Sequence, residues 1–396
     1  MAEIKKQRLV SLDVFRGLCI LGMVIVNNPG SWGAIYKPLG HADWHGCTPT
    51  DLVFPFFLFI VGVAIKISLD GRLMKDIPHC EIMKDVIRRS AIMFLLGLIL
   101  AATGPLFSAL FKASASELKV LLKLRIPGVL QRIAVCYFIS SWTYLKFSRK
   151  ENNKVVVEWK GLLGLSAALA FGYYLVMRWS SVPGFGMGNF EAKDGNIGAW
   201  LDRKILGSHV WSSAKTWDPE GILSTIPAIA TTISGILCGL LLKSGENREK
   251  MLMNMFVYGN LLALAGYFFS GFFPINKSIW STSYVLLTSG LAFNFLAVCY
   301  WYTDYMGFTF GTQPLVWMGM NAITIFFGSG VLARLLGFWH VTSGNGQKLA
   351  IKTWFYQSLV PVMGKYNASL TFALLFTGFW VFISWVLYRK KIFLKI

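Results

Sequence analysis

The stretch 38-PLGHADWHGCTPTDLVFPFFLFIV-61 joins a loop rich in ionisable residues to a long apolar run. Thr48 is predicted to cap the helix that this run forms, Pro49 to be its first residue, and Asp51 to complete the cap as a reciprocal carboxylate. The run is apolar enough to enter a membrane. The stretch therefore predicts a membrane helix that carries a polar loop at one end.

Apolar runs of this kind recur along the whole chain. The protein has 396 residues, of which 55% are hydrophobic and only 14% are charged, whereas soluble domains carry about 25% charged residues. A bilayer core of about 30 Å needs roughly 17 to 25 apolar residues in a helix. Such runs occupy residues 12–31, 51–68, 88–111, 126–147, 157–178, 221–243, 250–271, 279–300, 314–336 and 367–388. The sequence thus predicts an all-α polytopic membrane protein with about ten transmembrane helices.

The distribution of positive charge predicts the orientation of these helices. With an even number of spans, both termini lie on the same side. Lys and Arg are more numerous in the connecting segments on the side of the termini, which by the positive-inside rule predicts that both termini are cytoplasmic. The chain is then a single transmembrane domain, 1–396, with outer loops at about 179–220 and 337–366.

The net charge of +19 has two explanations, which are contact with nucleic acid and contact with membrane lipid. The cations cluster at the ends of the predicted helices, and the chain has no separate basic domain. This distribution favours membrane topology and anionic lipid as the explanation. Nucleic acid is not expected as a partner.

Several familiar catalytic and metal-binding motifs are absent from the sequence. It has no GxSxG elbow, no P-loop, no HExxH and no paired CxxC. His41 and His45 have the spacing of metal ligands on a helix, but Gly40 and Gly46 disfavour a helix there. No metal is therefore expected. Four of the six cysteines fall inside predicted spans, so no disulfide framework is expected either.

The loop before Pro49 holds the candidate catalytic group. His41 would be held at the membrane surface facing water, and an imidazole there suits a general base or a nucleophile because free imidazole titrates at about pH 6.5. Asp51 or Asp43 would orient the ring through a hydrogen bond. Asn27, at the end of the first span, is either a helix cap or the donor of a hydrogen bond to an oxyanion.

Three arginines are candidates for binding phosphate. Arg16 lies inside the first predicted span, and Asp13 shares its helix face, so Arg16 either forms a buried ion pair or binds an anion. Arg125 and Arg132 flank the start of the fourth span, where Arg132 is carried into the apolar run. Arg16 and Asn27 are about 17 Å apart along a helix, so a ligand that touches both must be long.

The outer loop before the sixth predicted span is rich in glycine and tryptophan. Its tryptophans either form the interfacial belt of a membrane protein or offer stacking faces to sugar rings. Asp218, which precedes Pro219, is predicted to cap the following helix. The candidates for binding an acceptor substrate are Asp43, Trp44, Asp218 and Glu220.

These motifs together resemble the heparan-alpha-glucosaminide N-acetyltransferase family and its bacterial homologues. The matching segments recur in order over nearly the whole chain. They are RLVSLDVFRG at 8–17, HADWHGCTPTDLVFPFFLFIVG at 41–62, RIPGVLQRIAVCYF at 125–138, DPEGIL at 218–223 and GMNA at 319–322. The N-terminal extracellular domain and the additional span of the lysosomal members have no counterpart here, so the resemblance covers the transmembrane catalytic core.

The resemblance implies a transfer of acetyl groups across the membrane. The donor would be cytosolic acetyl-CoA, used as a co-substrate, and the acceptor the amine of a terminal glucosamine on the far side. His41 matches the active-site histidine of the family and Asn27 its neighbouring catalytic asparagine, whereas His45 stands where an asparagine is common. The candidates for binding acetyl-CoA are Arg16, Arg125, Arg132 and Asn321.

The location, the partners and the alternative functions are predicted on the same basis. We expect a bacterial inner membrane, contact with membrane lipid, an amino-sugar or heparan-sulfate-like glycan as acceptor, and a homodimer. The main alternative is an amino-sugar transporter, which should show related halves with helices interrupted at matching positions. A structural protein that only contacts lipid would leave the buried charges and the histidine loop unexplained. Residues 276–278 and 367–369 are formal glycosylation sequons.

Overall fold

The computed structural model describes residues 9–112, 115–342 and 346–394 of the chain. Its helices are α1 (Val10–Asn27), α2 (Pro49–Leu73), α3 (His79–Lys112), α4 (Val129–Lys146), α5 (Trp159–Trp179), α6 (Ile197–Leu206), α7 (Thr225–Leu242), α8 (Arg248–Phe269), α9 (Thr282–Tyr300), α10 (Gln313–Met320), α11 (Ala322–Phe338) and α12 (Ile351–Arg389). Three short antiparallel hairpins connect some of them. They are β1–β2 (Ser148–Glu151 with Lys154–Val157), β3–β4 (Ser181–Val182 with Gly186–Met187) and β5–β6 (His340–Thr342 with Lys348–Ala350). The predicted all-α architecture is confirmed.

Most of the predicted spans are helices that suit a membrane. Within the described ranges, eight helices are long and apolar enough to cross a bilayer, and α10 with α11 makes a ninth if this bent pair is one span. The remaining predicted span is α4, which carries the buried polar residues Gln131, Arg132, Ser140 and Ser141. Because α4 packs against α2, α3 and α7, its polar side chains can face protein instead of lipid. The chain is an integral membrane protein.

Both described ends of the chain lie at the same end of the helical bundle. Asp304, just beyond α9, accepts hydrogen bonds from the backbone N–H groups of Val10 and Ser11 at 3.0 and 2.9 Å. Leu394 lines the same cavity as Arg16. We call this end the Arg16 face and the opposite end, where α1 ends and α2 begins, the His41 face. The common position of the two ends agrees with an even number of passes.

Helix α2 lies at the centre of the bundle and packs most closely on α7. A Cβ atom added to Gly62 would lie 1.9 Å from the carbonyl oxygen of Thr232, and one added to Gly235 would lie 1.9 Å from that of Phe59. The two backbones therefore touch at these glycines, as is common where small residues let membrane helices approach. This contact fixes α2, and with it the loop at its start.

Replacement of Gly62 by alanine should destabilise the protein strongly. The new methyl group has no space, and overpacking of this kind costs typically about 1 to 3 kcal/mol. Gly172 in α5 is the matched control, because a Cβ added there meets nothing within 4 Å. Thermal unfolding of the two variants in detergent measures the difference. Equal melting temperatures would contradict the close contact between α2 and α7.

The start of the last helix differs from the sequence-based boundary. Helix α12 begins at Ile351 instead of near residue 367, and it is broken at Gly364, which has a φ of 76°. A positive φ of this size is easily adopted by glycine. Because residues 351–363 are already helical, the loop after α11 is shorter than the loop predicted at about 337–366.

Candidate active site

His41 and Asp51 form a hydrogen-bonded pair at the start of α2. His41 Nδ1 lies 2.7 Å from Asp51 Oδ1. Because an ionised carboxylate can only accept, the proton of this bond belongs to Nδ1, and Nε2 keeps a lone pair. The His41 side chain is 49% exposed, whereas that of Asp51 is only 1% exposed. The pair thus holds an imidazole toward solvent with its Nε2 able to accept a proton.

Asp51 serves both roles that the sequence left open. It completes the predicted capping box, in which Thr48 is the N-cap and Pro49 follows as the first helical residue. Its Oδ2 accepts the backbone N–H of Thr48 at 3.0 Å and that of Ala42 at 3.1 Å, which leaves Oδ1 for His41. The same carboxylate therefore starts the membrane helix and orients the histidine.

Lys277 is a third member of the site that the sequence analysis missed. Its Nζ lies 3.0 Å from Nδ1 and 3.3 Å from Nε2 of His41, and 3.6 Å from Asp51 Oδ1. Burial lowers the pKa of Lys277, although the negative charges of Asp51 and Glu220 oppose this effect. The sequence marked residues 276–278 only as a sequon, but Asn276 is fully buried and is unsuited to carry a glycan.

His45 holds the loop in place instead of facing a substrate. Its Nε2 lies 3.1 Å from Glu191 Oε2, and its Nδ1 lies 3.3 Å from Asn276 Nδ2. Next to it, Trp44 Nε1 donates to the carbonyl oxygen of Phe190 at 2.7 Å. The loop is therefore tied to two segments far along the chain. Among the described residues, no group of three or more His, Cys, Asp or Glu side chains is placed to hold a metal ion.

Aromatic rings surround this loop on the His41 face. The rings of Trp44 and Trp217 meet edge to face at 5.4 Å, and Trp211 lies 6.0 Å from Trp217. The Lys193 ammonium lies 5.8 Å from the Trp44 ring, and Asp43 is exposed beside it. Trp44 and Asp43, both predicted to bind the acceptor, thus lie at the mouth of the site.

Arg125, Asp218 and Glu220 form an ion-pair cluster on the same face. Arg125 donates from Nε and Nη2 to the two carboxylate oxygens of Asp218 at 2.8 and 2.6 Å, and it also contacts Glu220. Burial would lower the pKa of Arg125, but these carboxylates outweigh it and raise the pKa. The cap prediction for Asp218 is wrong, because α7 begins at Thr225 after Ser224 and the carboxylate binds Arg125 instead.

Asp202 supports this cluster and was also missed. It is buried and accepts the backbone N–H groups of Asp218 and Ile222 at 3.3 and 3.0 Å. Burial raises the pKa of Asp202 to about 6, and the charge of Asp218 adds to this effect although the hydrogen bond from Ile222 opposes it. The carboxylate fixes the turn that places Glu220 near Lys277.

Arg132 is anchored at the start of α7. It is 2% exposed, its Nη2 contacts the carbonyl oxygen of Gly221 at 3.2 Å and the hydroxyl of Ser224, and its guanidinium stacks 5.1 Å from the Trp280 ring. Its Nε and Nη1 have no hydrogen-bond partner among the described residues. Arg125 and Arg132, both predicted to bind phosphate, thus lie on the His41 face, apart from Arg16.

Arg16 lines a cavity of about 330 Å³ toward the opposite face. It makes the predicted ion pair with Asp13 at 3.2 Å, and the same Nη1 lies 3.3 Å from the carbonyl oxygen of Gly319. Arg89 and Ser68 add further polar groups to the lining, and the other walls are mainly apolar. Arg16 therefore forms the predicted ion pair and also lines a cavity large enough for a ligand.

A smaller cavity of about 20 Å³ lies beside the first one, nearer to the His41 face. It reaches Val53 and Phe54, which lie in the turn of α2 that follows Asp51. The distance from Ser68 to Val53 along α2 is about 22 Å. The two cavities share the wall residues Phe57, Leu130, Ile133, Ala322 and Ile323. The smaller cavity thus adjoins the larger one inside the bundle, and its lining does not include His41 or Asp51.

The two predicted asparagines lie at breaks between helical segments. Asn321 lies at the 82° bend between α10 and α11, is 1% exposed, and has neither side-chain polar atom bonded within the described residues. Asn27 ends α1 and is exposed, and no side-chain hydrogen bond of it is seen in the described part of the chain. Its neighbour Asn28 is buried and donates to the Val24 carbonyl at 2.7 Å, so Asn28 is the one that closes the helix.

Together these features define a polytopic membrane protein with a histidine–aspartate site on one face and an arginine-lined cavity on the other. No protein-family model matches the chain. It is 29% identical over 433 residues to the heparan-alpha-glucosaminide N-acetyltransferase of Mus musculus and 30% identical over 434 residues to that of Homo sapiens. Each match covers 98% of this chain and 60% of the relative. The chain is a homologue of the heparan-alpha-glucosaminide N-acetyltransferases, which confirms the resemblance, and it spans about 60% of the length of these relatives.

Proposed function

We propose that the protein is a transmembrane N-acetyltransferase, which moves an acetyl group from acetyl-CoA to the amine of a glucosamine-type sugar. The observation that carries this proposal is the pair of sites at the two ends of α2, with the arginine-lined cavity near one end and the hydrogen-bonded pair of His41 and Asp51 at the other. Such an arrangement suits a long donor whose charged end and reactive end lie on different faces. The similarity to two heparan-alpha-glucosaminide N-acetyltransferases supports the reaction class.

The cavity near the Arg16 face suits the CoA part of the donor. Arg16 and Arg89 supply positive charge for phosphate groups. The apolar walls suit a flexible chain, and the unsatisfied amide of Asn321 beside it suits the amide groups of that chain. Arg125 and Arg132 contribute less to this end, because both are engaged with groups on the His41 face.

The chemistry at the other end follows from the geometry of His41. Nε2 takes the proton of the acceptor amine, so that the amine attacks the thioester carbonyl in its neutral form. Asp51 stabilises the imidazolium that results, and the Asn27 amide is the candidate donor to the oxyanion. Two routes share these groups. The acetyl group passes either directly to the amine or first to His41 and then to the amine.

The acceptor would bind on the His41 face. Trp44 and Trp217 offer rings that suit the apolar face of a sugar, and the exposed carboxylates of Asp43 and Glu191 attract its ammonium group. Asp218 and Glu220, also candidates from the sequence, act here through Arg125. We thus assign acceptor binding to Trp44, Trp217 and the exposed carboxylates near them, and not to the ion-pair cluster of Arg125, Asp218 and Glu220.

Replacement of Arg89 by glutamine should weaken donor binding. A charge-assisted hydrogen bond is worth about 1.5 to 3 kcal/mol, so the KM for acetyl-CoA should rise roughly tenfold or more with a smaller change in kcat. Arg88 is the matched control, because it is the preceding residue and is exposed away from the cavity. Steady-state kinetics with both variants tests the assignment. An equal rise in KM for both would show that only net charge matters.

Replacement of Asn27 by alanine should lower turnover more than donor affinity. Loss of one oxyanion donor typically costs about 10²- to 10³-fold in kcat, whereas Arg16 and Arg89, which would bind the phosphate groups of the donor, are untouched. Asn28→Ala removes the helix-closing hydrogen bond instead, and it should lower the melting temperature with little effect on kcat. The assignment fails if Asn27→Ala changes only the KM for acetyl-CoA.

The location and the assembly belong to the same proposal. The inner membrane of a bacterium, cytoplasmic termini on the Arg16 face, lipid contact and a homodimer are expected, with acetyl-CoA entering from the cytoplasm. Transport of an amino sugar is the alternative function. The breaks seen in the described spans, at α10–α11 and at Gly364 of α12, both lie in the C-terminal part of the chain, whereas a carrier built from repeats is expected to have a matching break in its other half.

A sided assay in proteoliposomes decides between these two functions. Labelled acetyl-CoA is supplied on one side of the membrane and glucosamine on the other, and acetylated sugar and accumulated free sugar are both measured. We expect acetylated sugar only when the donor has access to the Arg16 face and the acceptor to the His41 face. Uptake of free sugar without acetylation would establish the transporter and refute the transferase.

A further inference from the structure

The side chain of Lys277 places a primary amine against the catalytic histidine. Its Nζ lies 3.0 and 3.3 Å from the two ring nitrogens of His41 and 3.6 Å from Asp51 Oδ1. Since Nδ1 gives its proton to Asp51, Nε2 is the ring atom that can take a proton from Nζ. An acceptor amine must lie in line with the lone pair of Nε2. Because Nζ is close to both ring nitrogens, it lies against the face of the ring, and a small rotation of the flexible lysine stem brings it to the position that the proposed reaction requires of its acceptor.

A well-bonded turn fixes the backbone that carries this amine. Asn276 is fully buried, and its Oδ1 accepts the N–H of Ile279 at 3.1 Å. The N–H of Ser281 donates to the Asn276 carbonyl at 3.0 Å, and that of Trp280 donates to the Lys277 carbonyl at 3.1 Å. The stem of Lys277 is flexible but starts from a fixed point. Its amine is therefore presented to His41 by the fold and not by a mobile surface loop.

The surroundings of Lys277 make its amine a better nucleophile than an exposed lysine. The side chain is 21% exposed, and burial lowers the pKa of Lys277, although Asp51 and Glu220 oppose the change. A lower pKa increases the fraction of neutral amine, which is the form that attacks a carbonyl carbon. The adjacent base removes the proton that the attack releases.

We propose that Lys277 itself accepts an acetyl group when no acceptor sugar is bound, an inference that rests on acetyl transfer at His41. Nζ attacks the carbonyl carbon of the thioester, so that an N–C bond forms and the C–S bond breaks. The proton lost by Nζ passes to Nε2 of His41 and then to the departing thiolate. The products are one acetyllysine and one free CoA thiol.

Acetylation of Lys277 would stop further turnover. The modified side chain loses the positive charge that faces Asp51 and Glu220, and its amide fills the space beside His41. A bound acceptor sugar competes for the same space and protects the lysine. The modification thus couples the activity of the protein to the supply of its acceptor.

Lys193 provides an internal control for this reaction. It is exposed and lies over the Trp44 ring at 5.8 Å, close to the site but with no contact to His41 among the contacts seen in the described residues. Direct chemical acetylation by a thioester favours the exposed Lys193, whereas transfer within the site favours Lys277. The ratio of the two modifications therefore separates the two origins.

The test incubates the full-length protein in detergent with acetyl-CoA, with or without glucosamine, and follows acetylated peptides by mass spectrometry. Without glucosamine, Lys277 should be acetylated at least roughly tenfold faster than Lys193, as expected from its fixed position at the reacting centre. Glucosamine should slow the reaction at Lys277 only. His41→Ala should abolish the modification of Lys277 and leave that of Lys193 unchanged.

Three results would overturn the inference. If glucosamine is acetylated while Lys277 stays unmodified in the sample without acceptor, Lys277 is not an acetyl acceptor and the proposed transferase stands. If neither glucosamine nor Lys277 is acetylated, both the inference and the proposed function fail. Equal modification of Lys277 in wild type and in His41→Ala would also refute the inference, because it would not depend on the site.

Discussion

Replacing His41 with alanine should abolish acetyl transfer to glucosamine while the protein remains folded. The variant loses the Nε2 that takes the proton of the acceptor amine, and general-base catalysis is worth about 10²- to 10⁴-fold in rate. If the acetyl group passes through His41, the loss is complete. The side chain is about half exposed, so its removal opens no large buried cavity. Turnover with labelled acetyl-CoA and thermal unfolding measure the two effects.

His45→Ala is the matched control for this experiment. His45 lies four residues away in the same loop and bonds to Glu191 and Asn276 instead of facing Asp51. We expect this variant to keep turnover within about tenfold of wild type, with a small loss of stability from the missing hydrogen bonds. Loss of activity in His45→Ala with full activity in His41→Ala would reverse the assignment of the two histidines.

Replacing Asp51 with asparagine should remove activity and also lower stability. An amide that turns its N–H toward His41 favours the tautomer with the proton on Nε2, so that the base is lost, and comparable exchanges reduce turnover by about 10⁴-fold. The change also weakens the cap of α2, where loss of a cap costs about 1 kcal/mol, and it leaves Lys277 without its nearest carboxylate. Kinetics and melting temperature should therefore fall together.

Asp43→Asn is the control that separates loss of the hydrogen bond to His41 from a general loss of negative charge in the loop. Asp43 was the other candidate orienter, lies in the same loop and is exposed. It should change the KM for the sugar and leave the melting temperature and kcat close to wild type. If Asp43→Asn loses turnover and Asp51→Asn keeps it, the hydrogen bond between His41 and Asp51 has no role in the reaction.

The parts of the fold that depend on local signals could be predicted from the sequence. The cap at Thr48, Pro49 and Asp51 depends only on residues that are adjacent in the sequence, and the structure shows it as predicted. The membrane helices follow from the length and apolarity of continuous runs. Helix α4 was predicted at 126–147 and is found at Val129–Lys146, but the packing against other helices that shelters its polar residues could not be predicted from a local window.

The composition of the site could not be predicted to the same extent. Lys277 is 236 residues away from His41, and only the folded chain brings its amine to the imidazole. Arg125 suggested a phosphate site by its charge, but its carboxylate partners come more than 90 residues later. Isolated charges in a sequence do not show which opposite charges will neutralise them. Arg89 stood in a run of cations and was not distinguished from its neighbours until the cavity was seen.

The break at Asn321 places two helix ends of opposite partial charge at the arginine-lined cavity. Helix α11 begins at Ala322, and its N-terminal residues Ala322 and Ile323 line the cavity. The start of α11 carries a partial positive charge, but the end of α10, whose residues Gly319 and Met320 line the same cavity, carries a partial negative charge. The net positive potential of the cavity therefore comes from Arg16 and Arg89. This potential attracts a polyanionic donor before any contact forms, within a Debye length of about 8 Å at physiological ionic strength. Salt should therefore slow capture of the donor much more than capture of the sugar on the opposite face.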